Sequence, residues 1–116
     1  MEVFTILFIG HWVGDFVLQS SNMALKKSHS LKWLSIHIAT YTAVFFVFSV
    51  VAIGFGLGWK FALVNGIIHF FVDLVTSKVV AKYSDRPRVY YPLIGFDQLL
   101  HILSIIWTFE YLNIYT

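Results

Sequence analysis

Histidine and aspartate recur four positions apart in stretches of this chain that are otherwise apolar. Three pairs show the spacing: His11 and Asp15, His69 and Asp73, and Asp97 and His101. Residues four apart share one face of a helix and lie about 6 Å apart along its axis. Imidazole and carboxylate groups together are ligands for divalent metal ions, and inside membranes they also form proton relays.

We therefore predict a metal site built from these pairs and one further histidine. The candidate ligands are His11, Asp15, His37, His69, Asp73, Asp97 and His101. Zinc is the favoured ion, with manganese and iron as alternatives, and this number of ligands suits either one ion or two. The aspartates, Asp15, Asp73 and Asp97, are also the candidate catalytic residues, because one of them could bridge two ions or act as a general base.

Other polar residues are predicted to support this site. Amide side chains in the same stretches are expected to hydrogen-bond to the ligands or between helices; they are Gln19, Asn65 and Gln98. Three basic residues are candidates for binding an anionic substrate group: Lys27, Lys78 and Arg86. His29 lies in a basic loop and is expected to be solvated.

The composition indicates which elements must position these groups. The chain has 116 residues, of which 59% are hydrophobic and 12% charged, whereas soluble proteins carry about 25% charge. Its mean hydropathy is +0.78. Two prolines and the high apolar content argue against disorder, and the lack of cysteine excludes thiolate-based sites. A net charge of +2 gives no support for nucleic-acid binding. Much of this chain is expected to face lipid.

Four apolar stretches predict an all-α integral membrane protein. Their approximate limits are 3–20, 33–54, 59–81 and 92–112. Each is close to the roughly 20 residues that a helix needs to cross a bilayer. Short connections favour an antiparallel bundle of four transmembrane helices in a single domain, 1–116. The glycine-rich segment 54–58 is predicted to be the turn between the second and third helices.

The basic residues predict the orientation of the bundle. Seven of the eight flank the first and third loops: Lys26, Lys27, Lys32, Lys78, Lys82, Arg86 and Arg88. In a four-span topology these loops lie on the same side, and Lys60 lies on the other. The positive-inside rule then puts both loops in the cytoplasm and both termini outside, with the protein in the inner membrane.

This orientation aligns the polar residues in one layer. The first and third spans run inward and carry His before Asp, whereas the fourth runs outward and carries Asp before His. Every aspartate therefore lies nearer the cytoplasm than its paired histidine. An unpaired charge at the centre of a spanning helix costs about 2.5–3.5 kcal/mol, so three carboxylates need partners in the bundle interior.

The spaced motifs also resemble those of a known family. They are His11 to Gln19 followed by Lys26 and Lys27, then His37, then His69 with Asp73 and Lys78, then Asp97 with Gln98 and His101. Over nearly its whole length the chain resembles the small bacterial and phage membrane proteins grouped as domain of unknown function 3307. This resemblance implies a four-helix integral membrane protein and no particular activity. More distantly, the chain is similar to membrane-bound metal-dependent hydrolases, which suggests hydrolysis by metal-activated water.

Three functions fit these observations. A metal-dependent hydrolase would act on a lipid or lipid-linked substrate that enters from the cytoplasmic leaflet. A non-catalytic membrane partner or structural protein would use the His/Asp layer only to lock the bundle. A proton or metal-ion transporter would relay ions through the layer, although the outer half offers few polar groups, mainly Thr40, Thr42 and Ser49. The lipid bilayer is the expected surrounding, and self-association into a homo-oligomer is compatible with the sequence.

Overall fold

The computed structural model describes the backbone of residues 2–115 and the side chains of residues 2–112. The described part is helical and contains no strand. Its elements are α1 (Glu2–Trp12), a π-helical turn (Val13–Val17), α2 (Ser21–Lys26), α3 (Leu31–Ile53), α4 (Phe55–Lys82) and α5 (Pro87–Tyr115).

Three of these helices are long and apolar enough to cross a membrane. They are Leu31–Ile53, Phe55–Lys82 and, within α5, Pro87–Leu112. The segment predicted as the first span, 3–20, folds differently, because α1 has 11 residues and continues as a π-helical turn of five. The all-helical class is confirmed, and crossing of the membrane by the first segment remains a prediction.

Serine side chains define the starts of two helices in the first loop region. The Ser20 hydroxyl accepts a hydrogen bond from the backbone N–H of Met23 at 3.2 Å and caps α2. The Ser30 hydroxyl accepts one from the N–H of Trp33 at 3.4 Å and caps α3. Each cap satisfies an amide group that the first helical turn leaves unpaired.

The turn between α3 and α4 is shorter than the sequence predicted. The segment 54–58 was expected to form it, but only Gly54 lies outside the helices. Gly54 has a φ of +83°, a conformation that residues with a Cβ rarely adopt, and its N–H donates to the Val50 carbonyl at 2.8 Å. One residue therefore reverses the chain, and the remaining glycines extend α4.

Gly58 allows α3 and α4 to approach closely next to this turn. A Cβ atom at Gly58 would lie 2.9 Å from the Cα and N atoms of Val50, which is too close for a real contact. The tight hairpin thus depends on a missing side chain as well as on the Gly54 conformation.

The long helices and α1 pack around an apolar core. Its buried members are Leu7, Tyr41, Phe45, Phe61, Ala62 and Ile105. Along each helix these residues lie farther than the His and Asp residues from the end that carries α2 and the loop 83–86. We call that end the basic end, because it carries the seven basic residues of the first and third loops. The core closes the bundle on the opposite side of the His/Asp layer.

The outer surface of the bundle is strongly apolar. Large hydrophobic side chains are exposed along every long helix, including Val51 at 70%, Phe71 at 61% and Trp107 at 62%. Exposed large hydrophobic side chains along every long helix are typical of helices that contact lipid.

Candidate metal site

Four side-chain atoms from three helical segments converge in the interior. Asp15 lies in the π-helical turn, His37 in α3, and His69 and Asp73 in α4, and all four residues are buried. The His37 Nε2 atom lies 3.0 Å from Asp15 Oδ1 and 3.2 Å from Asp73 Oδ2. The His69 Nε2 atom lies 3.2 Å from the same Asp15 oxygen and 3.3 Å from the same Asp73 oxygen. The two Nε2 atoms are 3.3 Å apart.

These separations match the edges of a tetrahedral metal site. Ligands bound to zinc at about 2.0–2.1 Å in a tetrahedron lie about 3.3–3.4 Å from one another. The five distances given above run from 3.0 to 3.3 Å. Two imidazole nitrogens and two carboxylate oxygens are also a suitable donor set for zinc. The four atoms of this cluster, which we call the four-ligand cluster, could therefore hold a divalent ion.

A second group of potential ligands adjoins the four-ligand cluster. Asp15, Asp97 and His101 each offer an atom within 4.8 Å of the others, so Asp15 belongs to both groups. The His101 Nε2 atom lies 3.3 Å from Asp97 Oδ1 and 3.2 Å from Asp73 Oδ1. The imidazole rings of His69 and His101 stack at 3.9 Å between centroids. Asp15 and Asp73 each stand between the two groups, which is the position that a bridging carboxylate needs.

His11 lies at the edge of the site with both ring nitrogens already engaged. Its Nδ1 atom is 3.0 Å from the Tyr41 hydroxyl, and its Nε2 atom is 2.9 Å from Gln98 Oε1. Since the Gln98 carbonyl oxygen only accepts, Nε2 is the protonated nitrogen and Nδ1 accepts from Tyr41. Asp15 Oδ2 is farther away, at 3.6 Å. His11 thus lies outside the four-ligand cluster, and Gln98 connects it to Asp15.

Two side chains hold carboxylates of the site in place: Gln98, which lies in α5, and Thr76, which lies in α4. The Gln98 Nε2 group donates to Asp15 Oδ2 and to Asp97 Oδ2, each at 3.1 Å. The Thr76 hydroxyl, which has one proton, lies 2.5 Å from Asp97 Oδ1 and 2.9 Å from the Val72 carbonyl oxygen, and the shorter contact is the one to Asp97. Asp97 is therefore held in place by two donors, while its side chain remains 13% exposed, more than those of Asp15 and Asp73.

Lys27 brings a positive charge to the site from the end of α2. Its Nζ atom lies 3.2 Å from Asp73 Oδ2, the oxygen that also faces His37 and His69. The other two basic residues predicted to bind substrate, Lys78 and Arg86, are exposed and do not line the cavities described below. Of the three aspartates, Asp73 is thus the one that the Lys27 ammonium group contacts.

The other two predicted supporting amides take different positions. Asn65 donates to the Phe61 carbonyl of its own helix at 3.0 Å. Gln19 lines the cavity beside the site, and its Oε1 atom is buried without a hydrogen-bond partner among the described residues. The Nδ1 atoms of His37 and His69 are also buried without a hydrogen-bond partner among the described residues. No hydrogen bond at Nδ1 within the described part of the chain therefore fixes the tautomer of either imidazole.

A polar cavity of about 220 Å³ connects the site to the basic end. Asp15, Asp73 and Asp97 line its inner part, and Lys27 and Tyr90 lie on its wall. A second cavity of about 220 Å³ shares Lys27 and Tyr90 with the first and reaches Ser84 in the loop. Residues of the first and third loops therefore line neighbouring cavities, so both loops lie at the same end of the bundle.

Two residues that contact the site were not predicted from the sequence. Tyr41 follows His37 by four positions and Thr76 follows Asp73 by three, so helical spacing places each on the face of a predicted ligand. Hydroxyl groups are common in helices, and without the fold nothing distinguished these two from the others.

Fold and site together define a helical protein with membrane-length helices and a buried His/Asp site that could hold metal. The chain belongs to the family described as "Protein of unknown function (DUF3307)", which matches residues 3–116. Comparison with curated proteins and with solved structures gave no match.

Proposed function

We propose that this protein is a membrane-embedded, metal-dependent hydrolase that acts on a lipid or lipid-linked substrate. The observation that carries the proposal is the convergence of the His37 and His69 Nε2 atoms on the same two carboxylate oxygens, of Asp15 and Asp73. A divalent ion bound there would supply a Lewis acid for a phosphoryl or carbonyl oxygen and a more acidic water.

Charge balance supports a bound cation. Asp15, Asp73 and Asp97 would carry three negative charges if ionised, and Lys27 pairs with one of them. Buried carboxylates without compensating charge are strongly unfavourable. One divalent ion together with Lys27 would neutralise all three, and zinc is the ion that the nitrogen and oxygen ligands favour, with manganese and iron as alternatives.

The three aspartates have separate roles in this proposal. Asp15 and Asp73 face the imidazole nitrogens and act as ligands, and the remaining oxygen of each is available to the second group if two ions bind. Asp97 lies on the cavity side, where it would accept a proton from the attacking water as general base. Thr76 and Gln98 hold the Asp97 carboxylate in the orientation that this proton transfer requires.

The apolar core argues against the transporter that the sequence also allowed. Leu7, Phe45, Phe61 and Ile105 are completely buried on the side of the site away from the basic end. Few buried polar residues lie on that side in the described part of the chain, among them Ser49, Asn65 and Thr108, whereas the opposite side has cavities lined by three aspartates and Lys27. A dead-end cavity suits a site that binds and releases its substrate from one side.

Substrate would reach the cavity from the cytoplasmic leaflet. We propose that the basic end faces the cytoplasm of an inner membrane, with α1 as a fourth spanning segment and both termini outside. Lys27 lines both cavities and would contact an anionic headgroup, while the exposed Lys78 and Arg86 would attract it to the surface.

Two substitutions separate metal binding from hydrolysis. The metal content of detergent-purified protein is measured by elemental mass spectrometry. Its hydrolytic activity is measured on a panel of phosphate and carboxylate esters of long-chain alcohols. We expect Asp73→Asn to lose both metal and activity, and Asp97→Asn to retain metal but lose at least 100-fold in rate. A metal-loaded Asp97→Asn variant that hydrolyses as fast as the parent would overturn the base assignment. Metal-free parent protein after growth with added zinc, manganese and iron would overturn the proposal as a whole.

A further inference from the structure

An apolar groove opens beside the polar cavity, between α4 and α5. The groove has a volume of about 150 Å³ and is lined by Val75, Thr76, Val79, Val80, Leu93 and Phe96. Val75 and Phe96 are exposed by 61% and 53%, so the groove faces the surroundings of the bundle rather than its interior.

The groove and the polar cavity share a wall. Thr76 and Val80 line both spaces, with the aspartates on one side and exposed aliphatic and aromatic side chains on the other. The Thr76 hydroxyl is directed at Asp97, so it presents its polar group to the cavity. A single molecule with a polar and an apolar part could therefore occupy both spaces across this wall.

Another apolar groove on the same molecule lacks this connection. It lies between α3 and α4, is about 300 Å³ in volume, and is lined by residues that include Ile38, Leu63 and Ile67. None of its lining residues borders the polar cavity. Adjacency to the site, rather than size, distinguishes the α4/α5 groove.

We propose that the α4/α5 groove binds the hydrocarbon chain of a membrane lipid whose phosphate headgroup lies in the polar cavity. The assignment of the headgroup rests on the proposed function, because a bound metal ion would accept a phosphate oxygen as a ligand, and Lys27 lines the same cavity. The substrate class is then a phosphate ester of a long-chain alcohol or diglyceride that enters sideways from the bilayer. Val79 and Phe96 determine which chains fit.

Photo-crosslinking tests the groove independently of activity. The zinc-loaded full-length protein, in phosphatidylcholine nanodiscs, is irradiated with hexadecyl phosphate that carries a diazirine in its chain. Labelled peptides are then quantified by mass spectrometry. We expect labelling of 75–80 and 93–96 to exceed labelling of 63–71 at least fivefold. Unlabelled hexadecyl phosphate should suppress it, whereas hexadecanol should not.

Matched tryptophan variants provide the control. Val79→Trp fills the α4/α5 groove and should reduce labelling there at least fivefold, whereas Ile67→Trp fills the other groove and should leave it unchanged. Both parent side chains are exposed, so neither change disrupts the core. Equal labelling of the two grooves, or labelling that Val79→Trp does not alter, would overturn the proposal.

The experiment distinguishes a wrong assignment of the chain-binding groove from a wrong proposed function. Non-specific labelling of a metal-loaded, active protein would overturn only the chain site. Specific labelling at the groove that hexadecanol suppresses as well as the phosphate does would support the chain site and overturn the headgroup assignment. Absence of bound metal and of hydrolysis would count against the proposed function and not against the groove.

Discussion

The Nε2 atoms of His37 and His69 lie 3.3 Å apart, although the residues belong to different helices. Their meeting follows from the one-residue turn at Gly54. His37 precedes that glycine by 17 residues and His69 follows it by 15, so in antiparallel helices of equal rise they reach nearly the same height. Asp73 also lies in α4, so the α3/α4 hairpin supplies three of the four ligands, and the carboxylate of Asp15 completes the cluster.

Removing His69 should abolish metal binding. We expect His69→Ala to lose stoichiometric zinc after purification, because three ligands with a gap in the cluster bind far more weakly than four. Elemental mass spectrometry after dialysis against zinc gives the ratio of metal to protein. His29→Ala is the matched control, since His29 is exposed and should have no effect. Equal loss of zinc from both variants would contradict the assignment of His69 as a metal ligand.

Gln98 should strengthen metal binding without being a ligand. Gln98→Leu removes the groups that orient His11, Asp15 and Asp97, and we expect about a 10–100-fold weaker zinc affinity, as for other residues that position ligands. Competition with a fluorescent chelator measures the affinity. Gln19→Leu, the change at the chain's other glutamine, should leave the zinc affinity within twofold. A Gln98→Leu variant with parental zinc affinity would show that Asp15 needs no such support.

Lys27 should stabilise the metal-free protein. Its ammonium group is paired with buried Asp73, so Lys27→Met is expected to lower the melting temperature in the presence of a chelator. The loss should be smaller than the roughly 3–5 kcal/mol of a fully buried pair, because Lys27 is 18% exposed. Zinc should restore stability, since the ion neutralises the same carboxylate.

Thermal unfolding in detergent, with and without zinc, checks this expectation. Lys26→Met removes the neighbouring exposed lysine, which lies over the Trp33 ring, and should change neither melting temperature appreciably. If chelated Lys27→Met melted at the parental temperature, the ion pair would have no role in stability.

Gly58 should be intolerant of even one methyl group. Gly58→Ala places a Cβ atom against the Val50 backbone, and overpacking of this kind costs about 1–3 kcal/mol. Gly56→Ala meets nothing within 4 Å and should be neutral or slightly stabilising, because alanine favours helix. The difference between the two melting temperatures tests the close approach of α3 and α4. Equal melting temperatures would contradict it.

The absence of cysteine allows a direct test of the proposed orientation. Single cysteines at His29 and Ser84, both exposed at the basic end, should react with a membrane-impermeant maleimide only after the cells are opened. A cysteine at Gly56, exposed at the other end, should react in intact cells. Reaction of His29→Cys and Ser84→Cys from opposite sides of the membrane would contradict the topology.

The sequence by itself determined the helical class, the membrane-length helices of residues 31–112 and the shared layer of His and Asp side chains. These follow from local properties: long apolar stretches must form helices in lipid, and a four-residue spacing fixes one helix face. The direction of each helix alone then determines which residue of a His/Asp pair lies nearer the basic end. None of these features needs a contact between distant residues.

Tertiary structure decided what each residue of the layer does. Spacing along a helix shows which residues share a face, but not how that face is turned relative to the neighbouring helices. Nothing in the sequence therefore separated His11 from His69, which each have an aspartate four positions later. The rotations of the packed helices put His37 and His69 on the same two carboxylates and turned His11 toward Gln98 and Tyr41. The partnership of Lys27 with Asp73 likewise arises from packing, because the two residues are 46 positions apart in the chain.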